Sequence, residues 1–180
     1  MPQITAATTS AELLQLHWSL ALTDWPESVL AALPRGISRH PVRFARGGFD
    51  IVAIKEISAD LAHKEYHLLR TLRRLGLPCV DAVAVVDQRS TDDGRPLETC
   101  LVTRHLSFAL PYRAVFSKAI RADTWERAVD ALAVLLVRVH LTGLWWGDVS
   151  LSNALFRRNA GELAAYLVDI ETGVLRDRLS

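Results

Sequence analysis

Lys55, Glu65, Asp148, Asn153 and Asp169 are polar residues set among apolar ones, and their types suit phosphate and metal chemistry. In the run DIVAIKEI (50–57), alternate residues of a strand share a face, so Ile51, Ala53, Lys55 and Ile57 lie together. A lysine on such a face needs a partner or an anionic ligand, or else it snorkels to water. In the helical segment that follows, Leu61, Glu65, Leu68, Leu72 and Leu75 recur at spacings of four, three, four and three. Glu65 therefore falls inside an apolar stripe. An unpaired buried carboxylate is strongly unfavourable. Glu65 calls for a cation, and Lys55 is the nearest in sequence; a slightly rotated helix would instead leave Glu65 at the wet edge.

The stretch LWWGDVSLSNALF (144–156) sets Asp148 and Asn153 beside two tryptophans. If ALFRR and LAAYLVD form a hairpin around NAGE, its centre falls near Gly161, with Asn153 eight residues before it and Asp169 eight after. Facing residues of an antiparallel pair lie about 4.5–5.5 Å apart. An amide oxygen and a carboxylate would then meet at the open end, with Asp148 in the adjoining loop. An oxygen set that the protein leaves incomplete suits Mg²⁺ held together with substrate phosphates. Turn-capping is the competing explanation, and it is strongest for Asn153 taken alone.

The elements that must position these groups are legible in outline. LHWSL and DWPESVLAAL read as short helical or irregular pieces. HPVRFA and DIVAIKEI read as strands joined by a turn at Gly47-Gly48. A helix from about Ser58 to Leu75 starts at a good N-cap and stops at Gly76 and Pro78, with Arg70, Arg73 and Arg74 on its wet side. CVDAVAVVD and TCLVTRHL are two further strands, joined by the polar loop QRSTDDGRP. A second helix runs from about Thr124 to Leu141, with Asp123 and Glu126 resembling a capping box. Its second half is apolar nearly all round, which implies burial. The order implies two lobes joined near 104–109.

Half the residues are hydrophobic and 23% are charged, which fits a folded chain and excludes a disordered one. The formal net charge of +1 provides no long-range field for nucleic acid or an anionic membrane. Cys79 and Cys100 lack metal-ligand spacing and read as buried thiols of a reducing compartment. The N-terminus does not read as a signal peptide. The longest apolar run, ALAVLLV (131–137), is far short of the ~20 residues that span a bilayer. A cytoplasmic protein without transmembrane segments is expected.

A lysine on a strand, a glutamate on the next helix, D-x-x-x-x-N in a loop and a strand ending in aspartate together resemble the protein kinase-like superfamily. VAIK (52–55) looks like its phosphate-lysine strand, GDVSLSN (147–153) like its catalytic loop, and LVDIETG (167–173) like its metal-binding segment. Asp-Ile-Glu in place of Asp-Phe-Gly is similar to small bacterial kinases of non-protein substrates, such as lipopolysaccharide (Kdo) kinases and aminoglycoside phosphotransferases. LPRGISRHPVRF, TRHLSFALPYRAVFS and WWGDVSLSNALFRR resemble an uncharacterised bacterial family labelled as similar to lipopolysaccharide kinases.

The resemblance implies an α+β, two-lobed fold. Residues 1–106 would form a leader and a small β-rich lobe with one helix. Residues 107–180 would form a partial, mainly helical lobe with the catalytic loop and metal-binding hairpin. It implies ATP and Mg²⁺ as cofactors. Lys55 would contact the α- and β-phosphates and Glu65 would hold Lys55. Asp148 would orient the acceptor hydroxyl and take its proton. Asn153 and Asp169 would hold the metal. Ala53 would lie against the adenine, with a hinge at 103–105. Gly36 would belong to the loop over the phosphates, supplemented by Arg35 or Arg39. Trp145, Trp146 and Leu151 would wall the catalytic loop, and Gly147 would give its backbone room. The acceptor would be a small molecule or saccharide. Trp146 replaces a frequent histidine and Ser150 a usual lysine, which argues against a protein substrate. Eleven residues (170–180) follow Asp169, so a C-terminally truncated lobe is expected. The alternatives are a nucleotide-binding pseudokinase or regulatory module without turnover, and a structural fragment in which the three polar residues are caps.

Overall fold

The computed structural model describes residues 1–6, 11–33, 38–47, 50–115, 122–159 and 161–176. In chain order its strands and α-helices are β1 (Gln3–Ala6), α1 (Ala11–Leu14), β2 (Val42–Gly47), β3 (Asp50–Ile57), α2 (Ala59–Arg74), β4 (Ala82–Asp87), β5 (Thr99–Arg104), β6 (Ala109–Pro111), α3 (Tyr112–Val115), α4 (Ala122–Leu141), β7 (Leu144–Trp145), β8 (Ala154–Asn159), β9 (Glu162–Leu167) and β10 (Val174–Leu175). A β-rich N-terminal part followed by helices and hairpins is the α+β composition expected. Two compact units result: Met1–His67 with Asp81–His105, and Leu68–Val80 with Leu106–Ser180.

The first unit is built on a five-stranded sheet of order β1-β4-β5-β3-β2. Its centre is β3, whose β-branched residues suit a strand covered on both sides. Antiparallel pairing sets Phe44, Ala53 and Thr103 side by side, and likewise Val42, Lys55 and Leu101. The hairpin closes at Gly47↔Asp50. One face of the sheet packs on α2, where Ala62 and Tyr66 meet Ile57, Val85 and Leu101. The other face carries the leader: Leu13, Trp18, Leu22 and Trp25 pack on Val52, Ile54, Ala84, Val86, Cys100 and Val102. Burying each large apolar side chain contributes about 1.5–3 kcal/mol. The rings of Trp18 and Trp25 meet edge-on at 5.3 Å.

The buried face of α2 is Ala62, Glu65, Tyr66, Leu68, Leu69 and Leu72. The leucine stripe read from sequence is therefore rotated: Leu61 is only partly buried and Leu75 is half exposed. Leu75 falls outside because the helix ends there in a Schellman turn. Gly76 takes φ +77, its N–H donates to Arg73 O, and Leu77 N–H donates to Leu72 O. Arg73 and Arg74 are exposed, as expected.

In the second unit, β6-β8-β9 form a three-stranded sheet and β7 pairs with β10. α4 packs against β9 and buries Ala128, Ala131, Leu135 and Val139. The expectation that its second half is buried all round fails. Val134, Val137 and Leu141 are each more than half exposed, because one helical stripe faces β9 and the others do not. The helix starts at Ala122, so Asp123 lies in its first turn, where a carboxylate suits the helix dipole. Among the described residues no helix is long and apolar enough to cross a membrane.

Candidate functional site

In the first unit, Lys55 Nζ lies 3.2 Å from Glu65 Oε2, with the two side chains 13% and 2% exposed. The strand pleat turns Lys55 to the α2 side, and the helix brings Glu65 down onto it. Neither snorkelling of the lysine nor a wet-edge glutamate describes the geometry. Ala53 lies on the same side as Lys55 and pairs with Thr103. Arg39 is exposed. Gly36 and Arg35 lie outside the described residues; the chain leading toward them runs along β2, where Ala31 N–H donates to Phe44 O.

Two polar clusters here were missed in the sequence. His63 Nε2 lies 2.6 Å from Asp87 Oδ2, and Thr99 Oγ1 donates to Asp87 Oδ1 at 2.9 Å, which pins α2 to β4 and β5. Arg89, read as part of a polar loop, is buried, and its Nη1 lies 2.8 Å from Glu56 Oε1. Glu56 carried a usable signal: it shares the apolar even face of β3 with Val52 and Ile54. Arg89 carried none.

In the second unit the hairpin β8–β9 forms, but its register differs from expectation by one residue. Asn159 pairs with Glu162 and Ala154 with Leu167, and Val168 N–H donates to Asn153 O. Val168, not Asp169, therefore stands opposite Asn153. The cause is the tight turn, in which Gly161 adopts φ +93 and moves the hairpin centre half a residue toward the N-terminus. Asp169 lies just beyond. Its backbone oxygen accepts from Trp146 Nε1 at 3.2 Å, and its Oδ1 accepts from Glu171 N–H at 3.1 Å.

Asn153 Nδ2 donates to Asp148 O at 3.2 Å and reaches Asp148 Oδ2 at 3.4 Å. Both contacts use the amide nitrogen, so the amide oxygen points elsewhere. Ser150 Oγ accepts from Ser152 N–H and shares a hydrogen with Ser152 Oγ at 2.6 Å. Asn153 N–H donates to Ser150 O. Ser150 therefore builds the turn that presents Asn153. Trp146 is buried, but Trp145 and Leu151 are substantially exposed, so of the three expected walls only Trp146 is enclosed. A side chain at Gly147 would put Cβ 2.4 Å from Trp145 Cη2, so glycine supplies room beside an indole ring.

Among the described residues no group of three or more His, Cys, Asp or Glu is arranged to hold a metal. One carboxylate and one amide oxygen are a donor set for an ion that keeps water and phosphate oxygens, which is how Mg²⁺ binds beside nucleotides. Asp169 and Asn153 supply donors of those two types, too few for an all-protein cage.

No curated protein matches the chain. The sequence model of the lipopolysaccharide kinase (Kdo/WaaP) family matches residues 50–180, which include the Lys55–Glu65 pair, the Asp148–Asn153 loop and Asp169. The chain belongs to the lipopolysaccharide kinase (Kdo/WaaP) family, and its fold is the α+β fold of the kinase-like proteins.

Proposed function

We propose that the protein transfers a phosphoryl group from ATP, with Mg²⁺, to a hydroxyl of a small molecule or saccharide. Residues 1–106 act as the nucleotide lobe and residues 107–180 carry the catalytic loop. The observation that carries the reading is the enclosed Lys55–Glu65 pair. A pair that keeps one cation fixed on a strand face is what ATP phosphates require. Lys55 binds the α- and β-phosphates, Glu65 orients it, and Ala53 lies against the base. Asp148 orients the acceptor hydroxyl and receives its proton as the oxygen bonds to the γ-phosphorus and the bond to ADP breaks. Asn153 and Asp169 hold Mg²⁺, which supplies charge neutralisation. Positioning and electrostatics account for most of such catalysis. A cytoplasmic location belongs to the same proposal, since ATP is there and Cys79 and Cys100 are buried thiols.

A second reading, nucleotide binding without turnover, is favoured by Ser150. Bonded to Ser152, it brings no cation to the catalytic turn. Calorimetry with ATP, with and without Mg²⁺, tests the first part. Magnesium-dependent binding is expected in the wild type, with loss in Asp169→Ala. No binding by the folded chain refutes both readings. ADP formation with saccharide acceptors, abolished in Asp148→Asn, separates turnover from binding alone.

A further inference from the structure

β3 has two working faces. Lys55 points to α2. Its neighbour Glu56 points the opposite way, into the layer of leader residues, and is 9% exposed. Glu56 Oε1 accepts from Arg89 Nη1 at 2.8 Å and from Leu22 N–H at 2.9 Å. The Arg89 side chain is fully enclosed. Its Nε donates to Trp18 O at 3.1 Å and its Nη2 to Leu20 O. Its Nη1 also reaches Glu98 O at 2.7 Å and Cys100 Sγ at 2.8 Å. A planar guanidinium offers its donors in a fixed fork. One side chain thus ties two leader carbonyls, the start of β5 and the rear of β3 into one geometry.

Stability alone does not explain this arrangement. Replacing a buried ion pair by apolar residues of similar volume is often neutral or favourable. What the fork adds is direction. The family match begins at residue 50, so the leader that completes the cluster lies outside it.

We propose that Glu56 and Arg89 are positioning residues for Lys55: the leader, through this pair, holds β3 from behind and keeps Lys55 within reach of Glu65. The consequence for nucleotide binding rests on the function proposed above, whereas the consequence for Lys55 itself does not.

The test uses the full chain and three variants: Glu56→Gln, Arg89→Lys, and the apolar double variant Glu56→Leu/Arg89→Met. Thermal unfolding establishes the temperature at which each is folded. Two readouts follow there: the rate at which an amine-reactive reagent labels Lys55, read by mass spectrometry, and the affinity for Mg·ATP. The expected result is several-fold faster labelling of Lys55 in Glu56→Gln, in Arg89→Lys and in the double variant. An affinity loss of about tenfold, or about 1.4 kcal/mol, accompanies it. Wild-type labelling in folded variants, whatever their melting temperatures, overturns the proposal and leaves a pair that serves stability only. If the double variant fails to fold, Arg89→Lys and Glu56→Gln decide the matter by the same readouts. Faster labelling in a protein whose wild type binds no nucleotide upholds the positioning role and refutes the functional reading alone.

Discussion

Lys55→Met should be among the most destabilising single substitutions in the first unit, and the cost follows from geometry. At 3.2 Å, two unit charges attract by about 5 kcal/mol at an effective dielectric constant of about 20. The side chains are 13% and 2% exposed, so solvent screens little of this. Methionine fills most of the lysine volume but leaves the Glu65 carboxylate without this cation. Breaking one side of such a pair costs about 3–5 kcal/mol. With a urea slope of about 2 kcal/mol/M, the midpoint should fall by about 2 M. The double variant Lys55→Met/Glu65→Leu should recover most of the loss, because no charge then remains to be desolvated. Urea unfolding followed by tryptophan fluorescence reads the loss, with Trp18 and Trp25 reporting on the first unit and Trp125, Trp145 and Trp146 on the second. A loss below about 1 kcal/mol in the single variant, the range of exposed pairs, would refute the reasoning.

Four further outcomes are expected. Asp87→Ala removes an acceptor shared by His63 and Thr99 and should cost about 1–3 kcal/mol in unfolding free energy; a neutral result would mean that α2 is held by apolar packing alone. Gly147→Ala must push the Trp145 ring aside, at about 0.5–1.5 kcal/mol of rotamer strain, and an unmoved Trp145 indole resonance would contradict the contact. Burial holds His105 below its ordinary pKa of 6.5. The unfolded chain then binds more protons there, so stability is full above pH 6.5 and falls as pH drops below it; His105→Gln should flatten that part of the stability profile, and an unchanged slope would count against burial as the cause. Burial also pushes the Cys100 thiol up to about 12, so iodoacetamide at pH near 8 should label it only after unfolding, a point that peptide mass spectrometry settles.

Legibility followed the range of the interaction. Lys55 was readable because a strand alternates every two residues, and the run around it is short and strongly patterned. Glu65 was readable as a charge among leucines, although the stripe used to find it was rotated, since Leu75 belongs to the helix cap. Arg89 was not readable. It sits in QRSTDDGRP, a run rich in turn formers, and its partners Trp18 and Leu20 are 71 and 69 residues away. No local pattern encodes a contact of that span. The exposed side of α4 misled for the opposite reason. Its apolar composition is evident locally, but which stripe meets β9 is decided by the sheet.

The one-residue error at Asn153 has a physical meaning for the site. Had Asp169 belonged to the β8–β9 ladder, the pleat would have fixed which face its carboxylate took. The ladder ends one step earlier, with Val168 N–H on Asn153 O. Asp169 is instead held by contacts that the strand period does not govern. Its carbonyl receives the Trp146 indole N–H, and its carboxylate caps Glu171. The turn beyond is closed by Gly173 N–H on Ile170 O at 2.7 Å, where a Cβ on Gly173 would come within 2.9 Å of that oxygen and of Leu68 Cδ2. The tryptophan before Gly147 therefore does more than fill space. It links the loop that carries Asp148 to the backbone of Asp169, while Asn153 reaches the same loop through its amide. Caps and one indole, not the sheet ladder, thus hold Asp148, Asn153 and Asp169, which under the function proposed above would let their side chains be aimed independently of the sheet.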